Sequence, residues 1–291
     1  MNVLVTGAAG FVGSHLVPAL IAAGHTVFAA HYDLDRLPPV AGARRLQWDL
    51  AEPGLPAALP AEIGAIVHLA QANVPFPDRA NEMFAVHVAA TQRLLSVALR
   101  AGARRFVFAS TGSIYGSGHR DWIESDPTEG PGYYAATKVA AERLIRAYGG
   151  LLSFAIFRLF APYGPGQSNR LVPRLIAGVT EGRPVQIAGG TGAIFNPVHV
   201  KHVVDVLVQS LETKHSHVLN LGGDETLSVR DMAETVGRVV GRAPVFEQPA
   251  YTGTEGAPER VVGDNTALRR TYRLPERLTS FEDGVRSMIQ A

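Results

Sequence analysis

Tyr134 and Lys138 lie four residues apart in the run Pro131-Gly132-Tyr133-Tyr134-Ala135-Ala136-Thr137-Lys138, a spacing that puts both on one face of a helix. A lysine ammonium beside a phenol stabilises the phenolate and lowers the tyrosine pKa, which suits the phenol to proton transfer. The same spacing occurs on ordinary amphipathic helices, so the pair takes its meaning from its surroundings. Ser110 and Thr111 end the apolar run Arg105-Phe106-Val107-Phe108-Ala109, which reads as a buried strand. A hydroxyl at the C-terminal edge of such a strand can bond a reacting oxygen in the crevice where α/β sheets hold ligands.

The N-terminal stretch describes the scaffold those residues need. Val3-Leu4-Val5 is an apolar run of the kind a strand buried on both faces shows. Gly7, Gly10 and Gly13 follow, and then Leu16, Val17, Leu20 and Ile21 at helical spacing. In a strand–turn–helix context such glycines let backbone N–H groups approach a pyrophosphate at the positive end of the helix. Gly13 lacks a Cβ, so the helix can pack closely on its strand. The spacing is G-x-x-G-x-x-G, and a βα turn shaped by packing alone is the competing reading.

Further strands are expected over residues 25–30, 44–49, 65–70 and 105–110. Helices are expected over 81–101 and from Pro131 to the Gly149-Gly150 pair, with Gly24 and Gly102 closing the preceding ones. Strands alternating with helices at this rhythm predict an α/β fold with a parallel sheet covered on both faces. In the C-terminal half, helices are expected over 170–178, 200–211 and 227–241, the last capped by Ser228. Short strands are expected over 185–188 and 218–221.

Composition narrows the classes. Lysine plus arginine is 27 and aspartate plus glutamate 26, a formal charge of +1, and there is no cysteine. Disulfides and thiolate zinc sites are excluded, and nothing marks a nucleic-acid-binding surface. The absence of a ~20-residue apolar run or a secretory leader pattern predicts a cytoplasmic protein without a membrane span. His199-x-x-His202 and His215-x-His217 lack acidic partners at ligand spacing, so no metal site is expected.

Taken together, Thr6-Gly7-Ala8-Ala9-Gly10-Phe11-Val12-Gly13, Asp49-Leu50, His68-Leu69-Ala70, Ser110-Thr111-Gly112-Ser113-Ile114-Tyr115-Gly116 and Tyr134-Ala135-Ala136-Thr137-Lys138 resemble the extended short-chain dehydrogenase/reductases. The closer likeness is to the NAD(P)-dependent sugar-nucleotide epimerase/dehydratase branch. It continues through Arg158-Leu159-Phe160-Ala161-Pro162-Tyr163-Gly164-Pro165-Gly166, Asn196-Pro197-Val198-His199-Val200 and Val218-Leu219-Asn220-Leu221-Gly222-Gly223. The resemblance implies a doubly wound Rossmann-type sheet over residues 1–165, with 196–222 returning to it, and a smaller, interleaved substrate domain over 166–291. It implies Tyr134 as acid/base, Lys138 as its tuner and ribose ligand, and Thr111 as the group on the sugar oxygen. Gly7, Gly10, Phe11, Val12 and Gly13 would hold the pyrophosphate. Asp49, Leu50, Leu69, Ala70 and Ser110 would line the rest of the cofactor, and a nucleotide sugar would be the substrate. It also implies a homodimer formed by the helices around 84–101 and 134–148.

The chain departs from that pattern in four places. His31 stands where NAD-dependent members carry an acid on the ribose diol, with Asp33 close behind. The cofactor is therefore NAD or NADP, with His31 tilting the choice toward NADP. His87 replaces an asparagine and is read as a backbone-bonding substitute rather than a second base. Thr111 is followed by Gly112 and Ser113 rather than by carboxylates, so dehydratase and decarboxylase chemistry is disfavoured. Ala161, Arg170 and Phe195 replace the usual substrate-binding residues, leaving Ser113, Asn169, Arg170 and Arg260 as candidates, with Arg170 equally readable as a solvated loop charge. An NAD(P)-dependent epimerase is expected, with a keto-sugar reductase as the alternative. A non-catalytic nucleotide-binding protein is disfavoured by the intact Thr111, Tyr134 and Lys138.

Overall fold

The computed structural model describes residues 1–248 and 259–290. Its centre is a seven-stranded parallel sheet built from β1 (Asn2–Thr6), β2 (Thr26–His31), β3 (Ala43–Gln47), β4 (Ala65–His68), β5 (Arg105–Thr111), β6 (Ser153–Leu159) and the strand His217–Leu221. Val3, Leu4 and Val5 are fully buried, as a continuous apolar run in a doubly covered sheet requires. β1 pairs in parallel with β2 on one side and with β4 on the other. The strand order, from His217–Leu221 through β6, β5, β4, β1 and β2 to β3, therefore changes direction beside β1. Open α/β sheets bind ligands at such a switch point, beyond the C-terminal strand ends.

Four helical segments matter to the site: α1 (Phe11–Ala22), α2 (Ala80–Phe84), α3 (Ala90–Arg100) and α4 (Gly132–Ala147). The expected single helix over 81–101 is interrupted by a π-helical turn, Ala85–Ala89, that joins α2 to α3. Apolar spacing does not reveal an inserted residue when the helix continues in line on both sides. The third strand ends at Gln47 and the fourth at His68, both earlier than expected. Beyond the third strand Trp48 N–H still bonds the His31 carbonyl at 2.9 Å, so the extended course outlasts the regular ladder.

The chain forms two compact units. The first comprises Met1–Ile114, Thr128–Arg158 and Val204–Leu219; the second comprises Tyr115–Pro127, Leu159–Val203 and Asn220–Ala291. The chain thus enters the second unit first at Tyr115 and again at Leu159, and residues 196–203 and 220–222 group with it. In the second unit α5 (Leu171–Glu181), α7 (Val229–Val240) and the helix Phe281–Gln290 surround a core of Tyr163, Leu175, Val179, Met232, Val236 and Phe281. α6 (Val200–Ser210) precedes His217–Leu221 in sequence. Ser228 caps α7 with a reciprocal Ser228–Asp231 box, and Gly241 ends it at φ 73°, as its sequence signals predict. Only Val185 and Gln186 of the segment 185–188 form a strand. Among the described residues no helix is long and apolar enough to cross a membrane, and no cluster of three ligating side chains could hold a metal.

Candidate active site

The glycine turn leaves β1 and enters α1. Gly7 has φ 70°, and a Cβ there would lie 2.7 Å from the Ala70 backbone nitrogen. A Cβ on Gly13 would lie 2.2 Å from the Gly7 carbonyl oxygen. Both positions therefore exclude any larger residue. Gly10 is the N-cap of α1 and supplies no side-chain cap, so the first-turn amides, those of Phe11, Val12 and Gly13, have no partner within the helix. An uncapped, side-chain-free helix start beside a switch point fits a dinucleotide pyrophosphate. Leu69 and Ala70 run past Gly7, and Leu69 N–H bonds the Thr6 carbonyl at 3.2 Å.

Strand alternation points Ser110 and Thr111 to opposite sides of β5. Thr111 is half-buried, accepts the Ser113 amide at 3.2 Å and donates to Ser113 Oγ at 3.2 Å. Ser110 is buried and donates to Glu142 Oε1 at 2.6 Å. Glu142 in turn receives a two-pronged contact from Arg158, with Nε to Oε1 at 3.1 Å and Nη2 to Oε2 at 2.8 Å. Ser110, read above as lining the cofactor, thus has its hydroxyl committed to an ion pair whose side chains are only 2% and 3% exposed. This buried cluster fixes the end of β5 against α4 and β6.

Lys138 is buried with Nζ 2.9 Å from the Ala109 carbonyl and 4.7 Å from the centre of the Phe108 ring. Burial pushes its pKa down to about 7 despite the opposing attraction of Glu142. Tyr134, half-buried one turn earlier, donates its hydroxyl to Gln71 Oε1 at 3.2 Å. His87 sits edge-on to the Tyr134 ring at 5.5 Å. Its Nε2 lies 3.1 Å from the Ala72 amide, which can only donate, so the ring proton is on Nδ1, 2.9 Å from Thr137 Oγ1. Thr137 passes its own proton to the Tyr134 carbonyl at 2.9 Å. Burial first, and Lys138 second, push the His87 pKa down to about 3, so the ring is neutral. His68, buried with Nδ1 2.7 Å from Thr6 Oγ1, is driven well below its usual range by burial and then by Lys138 and His87.

At the end of β2, His31 Nδ1 lies 2.7 Å from the Asp33 carbonyl and its ring lies against Tyr32, tilted by 32° with centroids 4.4 Å apart. The Asp33 carboxylate accepts the Asp35 amide at 3.0 Å and pairs with Arg36 at 3.5 Å. Arg45 donates to the Leu34 carbonyl in the same turn. Asp49 accepts the Ala51 amide at 2.8 Å, and the Leu50 carbonyl accepts from Arg93.

The remaining candidates lie in the second unit. Asn169 is exposed at φ 53° and Arg170 is exposed at the start of α5. Arg260 pairs with Asp121 at 2.6 Å, and its amide bonds Ser117 Oγ at 2.9 Å. Thr111, Ser113, Tyr134 and Lys138 thus share the first unit, and Asn169, Arg170 and Arg260 the second. Sequence reasoning missed Gln71, Glu142 and Arg158. The signals were present: a charge between Phe157 and Leu159 in an apolar strand, and a carboxylate four residues after Lys138.

A parallel sheet with a glycine turn at its switch point and Thr, Tyr and Lys at neighbouring strand and helix ends defines a dinucleotide-dependent enzyme of the short-chain type. The chain belongs to the NAD-dependent epimerase/dehydratase family, whose pattern matches residues 3–222. It is 31% identical to a dTDP-glucose 4,6-dehydratase of Streptomyces antibioticus over 80% of this chain and 75% of that protein. It is 27% identical to a probable UDP-glucuronate 4-epimerase of Rhizobium meliloti (strain 1021), over 98% of this chain and 93% of that one. Among solved structures, MoeE5 in complex with UDP-glucuronic acid and NAD superposes with TM-score 0.85 at 30% identity, covering 100% of this chain and 98% of that one. Relatives of this chain include sugar-nucleotide epimerases, dehydratases and decarboxylases.

Proposed function

We propose that the protein is an NAD(P)-dependent epimerase of a nucleotide-activated sugar. The observation that carries this reading is the turn after Thr111. Gly112 is buried, and Ser113 is tied to the Thr111 hydroxyl through both its amide and its side chain. No carboxylate stands there to remove a carbon-bound proton or expel water, so the site is built for moving one hydride and one hydroxyl proton.

The amides of the Gly7–Gly13 turn would hold the pyrophosphate, with Leu69, Ala70, Asp49 and Leu50 along the rest of the cofactor. A dinucleotide held there would supply hydride transfer to and from a sugar carbon. Tyr134 takes the proton of the sugar hydroxyl as that oxygen becomes a carbonyl, and gives it back on reduction. Thr111 donates a hydrogen bond to the same oxygen. A phenolate forming on the Lys138 face of α4 favours the ammonium and so opposes the effect of burial on that lysine. Asn169, Arg170 and Arg260 are the groups we assign to the substrate diphosphate.

The Asp33 carboxylate is engaged within its own turn, while His31, Arg36 and Arg45 gather around the end of β2. That arrangement supports a 2′-phosphate there, hence NADP over NAD. Phe84 and Leu99 are 48% and 40% exposed, which supports a homodimer through the helices around 84–101 and 134–148; sedimentation of the purified protein tests it.

The deciding experiment is mass spectrometry of the dinucleotide released on denaturation, followed by incubation with a nucleotide-sugar panel with and without added NADPH. A retained dinucleotide and a new sugar isomer formed without added cofactor establish the epimerase. Stoichiometric NADPH consumption by a keto-sugar makes it a reductase instead. Tyr134→Phe should lower kcat/KM by about 10²–10⁴-fold while leaving dinucleotide binding intact.

A further inference from the structure

We propose that Gln71 is a positioning residue that sets the protonation balance of Tyr134, and that His87 holds the loop from which it acts. The proposal rests on the assignment of Tyr134 as the proton-transfer group.

The contacts form a closed circuit. Tyr134 O–H donates to Gln71 Oε1 at 3.2 Å. The next residue, Ala72, donates its amide to His87 Nε2, His87 Nδ1 donates to Thr137 Oγ1, and Thr137 donates to the Tyr134 carbonyl. The loop after β4 is thereby fastened to α4 at two points, one at the phenol and one at the backbone behind it. His87 can serve because the π-helical turn that contains it, Ala85–Ala89, carries it into the buried layer. Thr91 Oγ1 bonds the His87 carbonyl at 2.6 Å, which secures that turn.

A glutamine amide has a property suited to a group that must gain and lose one proton. Its oxygen accepts from the neutral phenol, and half a turn of the amide presents an N–H to the phenolate. Neither protonation state is then left facing a repelling partner. A carboxylate in the same place would serve only the phenol. The other titratable groups facing this region are His87 from the π-helical turn, His68 at the end of β4 and Lys138 from α4 itself. Both histidines are held neutral by burial, so a charge introduced at position 71 meets little opposition from them.

The test is an ultraviolet difference titration of tyrosinate in the NAD(P)-loaded protein, with Tyr134→Phe as the blank that identifies the Tyr134 step. It is run on the parent, Gln71→Glu and Gln71→Ala. Gln71 is exposed, so these variants should fold as the parent does, which thermal melting checks. In Gln71→Glu the Tyr134 step should rise by about one pH unit or more, with the limb of the kcat/KM profile that climbs as Tyr134 loses its proton moving in the same direction. In Gln71→Ala kcat should fall while KM stays close to the parent value. A second arm places Gln71→Glu in a His87→Leu background, where the upward shift should shrink as the loop loses its anchor.

An unchanged Tyr134 step in Gln71→Glu overturns the proposal, and an undiminished shift in the His87→Leu background overturns the part assigned to His87. If the step shifts as expected but Tyr134→Phe remains fully active, the electrostatic coupling stands and the catalytic assignment of Tyr134 falls.

Discussion

The two units treat buried polar groups in different ways. Behind the candidate active site the first unit buries charge. Glu142 and Arg158 are paired out of solvent with Ser110, and Lys138 is sealed beside them. The second unit buries neutral amides. Asn196 bonds the Gly223 and Gly263 carbonyls and the Gly263 amide, and Asn220 joins the Tyr115 hydroxyl to the Trp122 carbonyl. Its ion pairs such as Arg260 with Asp121 and Arg269 with Asp224 are partly exposed. Buried amides staple loops at little electrostatic cost, whereas a buried ion pair barely offsets its own desolvation. In the first unit a buried carboxylate–guanidinium pair thus joins β5, β6 and α4, where the second unit uses neutral amides.

That contrast can be broken by experiment. Glu142→Ala removes the carboxylate that faces the buried Arg158 and should destabilise the protein by about 3–5 kcal/mol, measured by chemical denaturation. Lys138 should leave a pH signature. Its folded pKa is lowered from 10.5 to about 7, so between those values the unfolded chain binds more protons and stability climbs with pH. Below about pH 7 both states are charged and this contribution is flat. Lys138→Met should remove the climb. Ser228→Ala deletes one half of the α7 capping box and should cost about 1 kcal/mol. Arg260→Ala loses a partly exposed pair and should cost about 1 kcal/mol or less, its effect appearing instead in the KM for the nucleotide sugar. If Arg260→Ala destabilised as much as Glu142→Ala, the distinction between the units would fail.

What could be read from the sequence follows the same division. β1, β4 and β5 are legible because strands covered on both faces need uninterrupted apolar runs, and Gly7 and Gly13 because the backbone comes too close for a Cβ. The hydroxyls were only partly legible. Ser110 and Thr111 are adjacent, and period-2 alternation alone separates the one held by Glu142 from the one beside Ser113. Gln71 was hidden because its neighbours Leu69 and Ala70 belong to the recognisable motif while its own role depends on a contact with α4. The π-helical turn was hidden because Met83, Val86 and Leu94 satisfy ordinary helical spacing. In the second unit, Asn169 and Arg170 are exposed, and a sequence pattern records packing rather than what an exposed side chain would meet.

The interleaving of the two units also has a temporal side. The first unit includes Val204–Leu219, and its sheet is completed by His217–Leu221 lying next to β6. During synthesis β6 emerges about sixty residues before that neighbour, a lag of several seconds at ribosomal speeds of roughly 5–20 residues per second. Throughout that interval one side of β6 offers unpaired backbone groups to any passing strand. A nascent chain that has passed Leu159 but not yet reached His217 therefore carries that edge of β6 uncovered.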